Sequence, residues 1–146
     1  MAARTIEDLP AWASELLEAA RVAHLALLDG DGRPRVLPIT YALLGGVIWS
    51  AVDDKPKRVP GDELARVRWL RAAPQAALTV DRYDDDWSKL AWVQILCSVS
   101  IEAVRDDVLQ ALARRYAPYR ECAPGGPLLR LAPERVLWWR AQERTY

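Results

Sequence analysis

The chain has no phenylalanine, one histidine and two cysteines in 146 residues. A single histidine excludes a His-rich metal centre, and a Ser-His-Asp arrangement would have to be built on His24. Cys97 and Cys122 lack Cys-x-x-Cys spacing, so neither a zinc site nor a disulfide framework follows. Net charge is absent too, because 20 basic residues balance 20 acidic ones. A nucleic-acid footprint usually needs a basic excess. No apolar run reaches the roughly 18 residues of a membrane helix, and no signal-peptide pattern opens the chain, so a cytoplasmic protein is expected. Without repeats, low-complexity tracts or linkers, residues 1–146 read as one domain, long enough to bury a core unaided.

What the chain does have is tryptophan, seven in all, and short apolar runs punctuated by turns. Residues 5–20 carry Ile6, Leu9, Ala13, Leu16, Leu17 and Ala20 at helical spacing, with Thr5 as N-cap. Residues 22–28 and 33–43 flank Asp29-Gly30-Asp31-Gly32 and read as a β-hairpin. Pro34 and Pro38 mark its second strand as an edge, bulged, or open toward a ligand. Gly45-Gly46 turns into a third strand over 47–53. A helix over 61–73 stops before Pro74, a strand follows over 75–83, and Asp84 to Asp86 form an acidic turn. Residues 91–104 alternate cleanly as a strand, with Cys97 on the apolar face as a small buried hydrophobe. A helix over 106–116, a loop over 117–127 and strand segments at 128–131 and 135–141 complete the order. About six or seven antiparallel strands with helices in the gaps suit a barrel better than a doubly wound sheet.

One stretch organises a functional reading. The strand at 47–52 runs into Asp53-Asp54-Lys55-Pro56-Lys57-Arg58. A strand end aims backbone N–H groups, and three following cations suit a phosphate. Trp49 reads as core. Trp138 and Trp139, adjacent on a strand, point to opposite faces, so one of them belongs to an interface or groove. His24 reads as structural within its apolar strand, and the acidic turn as solvated rather than metal-binding.

The segments Ala20-Arg21-Val22-Ala23-His24-Leu25-Ala26, Asp29 to Ile39, Ala51 to Arg58, Leu70-Arg71-Ala72-Ala73-Pro74 and Asp81 to Trp87 together resemble the pyridoxamine 5′-phosphate oxidase-like split β-barrel proteins. More narrowly, they resemble the probable F-420-dependent branch common in actinobacteria. Trp69 stands where that branch usually has Asn. The resemblance covers residues 5 to about 141. It implies an α+β fold that is mainly β, and a homodimer with cofactor sites at the subunit interface. The cofactor would be coenzyme F-420, a deazaflavin, or alternatively FMN. It further implies that Val36, Pro38, Ile39 and Thr40 run beside the ring system, and that Ser50, Ala51 and Val52 line the same groove. Lys55, Lys57 and Arg58 would hold the phosphate, and the partner would contribute Trp87, Trp92, Trp138 and Arg140.

Three functions fit. One is a reductase moving a hydride between F-420 and a small unsaturated or quinone-like substrate, with Tyr41 or Tyr83 as candidate proton donors. Another is an FMN-dependent oxidoreductase of the same fold. The third is a non-catalytic barrel that stores or shields a flavin, deazaflavin or haem-like ligand.

Overall fold

The computed structural model describes residues 1–52 and 64–142. Strand β1 (Ala2–Ala3) precedes a 3-10 turn, and helix α1 then spans Ala11–Ala19. The helix expected over 5–20 therefore begins late. Pro10 disfavours helical backbone at the residue before it, and Leu9 holds φ −64° and ψ 140°. Leu9, Ala13 and Leu17 are buried together on the barrel.

Strands β2 (Ala23–Leu28) and β3 (Pro34–Ile39) form the expected hairpin. Its turn is held by the Asp29 carboxylate, which accepts from the backbone N–H of Asp31 and of Arg33 at 2.9 Å each. Those bonds favour the charged form and hold the Asp29 carboxyl below its ordinary range. The strand expected over 33–43 divides at Thr40. Its second part is β4 (Ala42–Leu44), which turns through Gly45 and Gly46 (φ 63° and 72°) into β5 (Val47–Ala51). Both glycines occupy the left-handed region that a two-residue hairpin turn demands.

Helix α2 (Ala65–Ala72) buries Val67 and Leu70. Strands β6 (Gln75–Arg82) and β7 (Ala91–Glu102) follow. Helix α3 (Asp106–Arg115) has acids in its first turn and arginines in its last, the favourable sense for the helix dipole. The loop expected over 117–127 contains helix α4 (Ala117–Glu121), with proline in its first turn, where a missing N–H costs nothing. The two closing segments are one strand, β8 (Leu128–Arg140). Leu96 pairs with Arg135 and Cys97 with Pro133, so Glu134 is the extra residue of a bulge that absorbs the proline.

The sheet order is β3-β2-β6-β7-β8-β5-β4, with β1 on β8, and every pairing is antiparallel. The described residues thus hold eight strands rather than six or seven. β7 and β8 bridge two halves. One end of β7 pairs with β6, and the start of β8 pairs with β5. The interior is filled by Leu17, Leu25, Ile48, Leu70, Leu78, Ile95 and Leu131, among others. A second cluster, with Trp49, Leu112, Tyr116 and Leu128, lies under α3 and confirms Trp49 as core. Each buried aliphatic side chain contributes roughly 1.5–3 kcal/mol. Among the described residues, no helix is long and apolar enough to cross a membrane.

Candidate functional site

β3 is an edge strand, and its open side can be read residue by residue. The Asp29 N–H donates to the Arg33 carbonyl at 2.9 Å. In an antiparallel pair this sets the parity, with Arg35 and Leu37 bonding to β2 while Pro34, Val36 and Pro38 aim their backbone groups away. The prolines therefore sit where no donor is needed. Val36 is left with the one N–H on that side, flanked by carbonyls.

The far end of β3 meets the far end of β5. The Ser50 hydroxyl donates to the Thr40 carbonyl at 2.7 Å, and the Thr40 hydroxyl shares a hydrogen bond with the Tyr119 hydroxyl at 2.8 Å. Two expected site segments, 36–40 and 50–52, are thereby joined at one seam. Within it, Val36 and Pro38 are exposed, Thr40 and Ala51 half-buried, and Ile39, Ser50 and Val52 buried. The Val52 N–H donates to the Pro127 carbonyl at 3.0 Å. Lys55, Lys57 and Arg58 lie outside the described residues.

The outer face of the wide half-sheet carries the second feature. Register places Val36, Ala26, Ala77, Leu96 and Arg135 in one row across five strands, and Pro38, His24, Thr79, Gln94 and Leu137 in the next. Trp92 pairs with Trp139 beyond them. Val36, Leu28, Trp139, Trp92 and Leu96 are 63%, 43%, 46%, 36% and 36% exposed. A solvated antiparallel face normally alternates to polar residues. This one is largely uncharged, the mark of an interaction surface. Where the bulge opens it, a cleft of about 410 Å³ lies among Ala26, Leu28, Pro34, Gln75, Leu96 and Glu134.

The remaining expected residues separate. Trp87 is exposed on a 3-10 turn. Trp138 packs against the main core, so the outward ring of the pair is Trp139, which the expected set omitted. Arg140 lies over the Trp12 ring at 5.1 Å. His24 is exposed opposite Pro38, not held in the core. Its neighbours Ala23 and Leu25 are buried, so strand alternation within that run was the available signal. Tyr41 is wholly buried and its hydroxyl donates to the Leu17 carbonyl, which removes it as a proton donor to a substrate; burial also pushes it up to about 12. Tyr83 is 69% exposed. Trp69 packs α2 against the hairpin, with the Arg35 guanidinium 4.8 Å from its ring. In the acidic turn, Asp84 accepts from the Asp86 N–H at 2.7 Å and Asp86 accepts from the Ser88 N–H and hydroxyl, which is loop-building work. The described residues contain no group of metal-ligating side chains.

No family model matches the chain, and no curated protein matches it. Solved structures do. A conserved hypothetical protein, Rv2991, from Mycobacterium tuberculosis is similar over 99% of this chain and 94% of its own, with TM-score 0.75 and 16% identity. A heme-binding protein from Mycobacterium smegmatis is similar over 93% of this chain and 57% of its own, with TM-score 0.68 and 23% identity. A FAD-binding protein from Mesorhizobium loti is similar over 89% of this chain and 94% of its own, with TM-score 0.57 and 22% identity. The eight antiparallel strands, their bridging β7–β8 pair and these likenesses give the chain the split β-barrel fold of pyridoxamine 5′-phosphate oxidase-like proteins.

Proposed function

We propose that the protein is an oxidoreductase that binds coenzyme F-420, or alternatively FMN, in a cleft shared by two copies of the chain. The observation that carries this is the β3 edge. Val36 offers one N–H beside its own carbonyl on an otherwise donor-free side. The pyrimidinedione edge common to flavins and deazaflavins carries an imide N–H between carbonyl oxygens, which complements that pattern. The seam at Thr40 and Ser50 brings this edge to the end of β5, from which the chain runs on to Lys55, Lys57 and Arg58, the phosphate ligands in this reading. The FAD-binding and heme-binding neighbours share the architecture and agree with a ring-bearing ligand.

The largely uncharged outer face supplies the second wall. A two-fold axis running along the strands near β6 would set β3 of one copy across from β8 of the other. Trp92 and Trp139 of the partner subunit would then close the cleft over Val36 and Pro38. The bound ring would supply hydride transfer to a small unsaturated or quinone-like substrate. The chain's own residues orient the ring by backbone hydrogen bonds, anchor its phosphate and exclude water. The apolar cleft beside Ala26 and Leu96 gives the substrate room. Mixing the protein with reduced F-420 and a panel of quinones and enones tests turnover. Oxidation of the coenzyme is expected, while tight binding without oxidation across the panel would instead select a carrier. A yellow protein on purification would favour FMN.

A further inference from the structure

Away from that cleft, the structure holds a second cavity, of about 550 Å³, lined by Arg82, Ser88, Lys89, Leu90, Arg140 and the chain just after it. Its ionisable lining residues are all cationic. Arg82 pairs with Ala91, and Ala91 with Arg140, so the two arginines stand at one level on the strands flanking β7. Paired residues share a face. Both arginines therefore project on the side of buried Ala91, with backbones about 9–10 Å apart across two strand spacings. Ala91 itself is covered, and the hollow lies between the two arginines, the 88–90 turn and the chain after Arg140. The rim is fixed: the Arg82 Nε donates to the Lys89 carbonyl at 2.8 Å, and the Ala141 N–H donates to the Leu90 carbonyl at 2.9 Å. The nearby acid, Asp86, is already occupied, with one oxygen taken by Ser88 and the other 3.9 Å from the Lys89 ammonium. Neither arginine has a carboxylate partner among the described residues, and Arg140 is held instead against Trp12.

Lys89 is offset by Asp86, but the two arginines line the hollow without a carboxylate among the described residues, and two guanidinium forks are suited to an oxyanion. We propose that this cavity is a phosphate site, taking inorganic phosphate or the phosphate group of a small ester. It is separate from the cofactor cleft of the same subunit. β8 carries Leu129 beside Ser50 near one end and Arg140 at the other.

Titration of inorganic phosphate, followed by backbone amide shifts at constant ionic strength, tests the proposal. Saturable shifts are expected at Lys89, Leu90, Ala91 and Ala141, weakened at least tenfold by Arg140→Gln. Arg82→Gln should weaken binding similarly; because Arg82 also ties the rim, Arg140→Gln is the cleaner variant. Glycerol phosphate in place of phosphate tells free phosphate from an ester, and the better binder names the source. Shifts that fail to saturate, that chloride reproduces, or that both variants retain would overturn the site. So would loss of FMN or F-420 binding in Arg140→Gln without phosphate binding in the parent, because the arginine would then belong to the cofactor cleft. Phosphate binding that survives Lys55→Ala and Lys57→Ala supports the site, whether or not either cofactor binds.

Discussion

At the scale of single residues, Arg115 and Tyr41 hold the helices to the barrel. The Arg115 guanidinium donates to the Ala20 carbonyl at 2.6 Å and lies 4.7 Å from the Tyr41 ring. Tyr41 in turn reaches the Leu17 carbonyl, so both side chains satisfy groups at the end of α1 that have no partner within the helix. Burial pushes the Tyr41 hydroxyl from 10.0 up to about 12. The unfolded chain therefore loses that proton first, and stability is fully present below pH 10 and falls as pH rises toward 12. Two pKa units correspond to a loss of about 2–3 kcal/mol. Denaturant titrations from pH 8 to 12 should show this fall, and Tyr41→Phe should reduce it while costing about 1 kcal/mol at neutral pH for the lost hydrogen bond. Burial raises the Cys97 thiol from 9.0 to about 12 as well, so some alkaline loss beginning near pH 9 should persist in that variant. Cys97 was legible from alternation alone. His24 follows the same parity between Ala23 and Leu25, though its apolar run hid it; which of Trp138 and Trp139 faces outward was not legible.

At the scale of elements, what composition and spacing made visible were the strands with strict alternation or strong turns. β7, β2 and the start of β3 came out nearly at their true bounds, the last two because Asp29 and the glycines fix the turn between them. The division at Thr40 was hidden. Nothing local stops 33–43 from being one strand; the break arises because β3 and β4 belong to opposite edges of the sheet. The last strand read as two segments, 128–131 and 135–141, but its cross-strand partner β7 carries it through Pro133 as a bulge. The turn into β5 gives a direct check. Gly46 has φ 72°, and an added Cβ would meet the Glu7 carboxylate oxygen at 2.7 Å. Because Glu7 is the far end of a flexible side chain, backbone strain dominates, and Gly46→Ala should cost about 1–2 kcal/mol in chemical denaturation. Gly45→Ala meets no neighbour within 4 Å but carries the same left-handed strain at φ 63°, so it should cost no more than Gly46→Ala.

At the scale of the whole molecule, the largely uncharged outer face decides whether the β3 edge is half of a site or a bare surface. Covered by a second copy, it becomes a dry wall beside Val36. Left in water, it exposes Val36, Leu96, Trp92 and Trp139 to no purpose. Leu96 is part-exposed in the single chain, so Leu96→Glu should leave the fold intact at a cost of about 1–2 kcal/mol in intrinsic chain stability. The same change should convert a dimer to a monomer in analytical ultracentrifugation. A parent already monomeric at high micromolar concentration would remove the shared cleft.

The most direct measurement is an equilibrium titration of F-420 and of FMN, followed by ligand fluorescence, into the parent, Lys57→Ala and Leu96→Glu. Saturation of at least one ligand at one per chain is expected, weakened tenfold or more when either the cationic segment or the outer face is altered. Absence of saturable binding by both ligands, or equal binding by all three proteins, would contradict it.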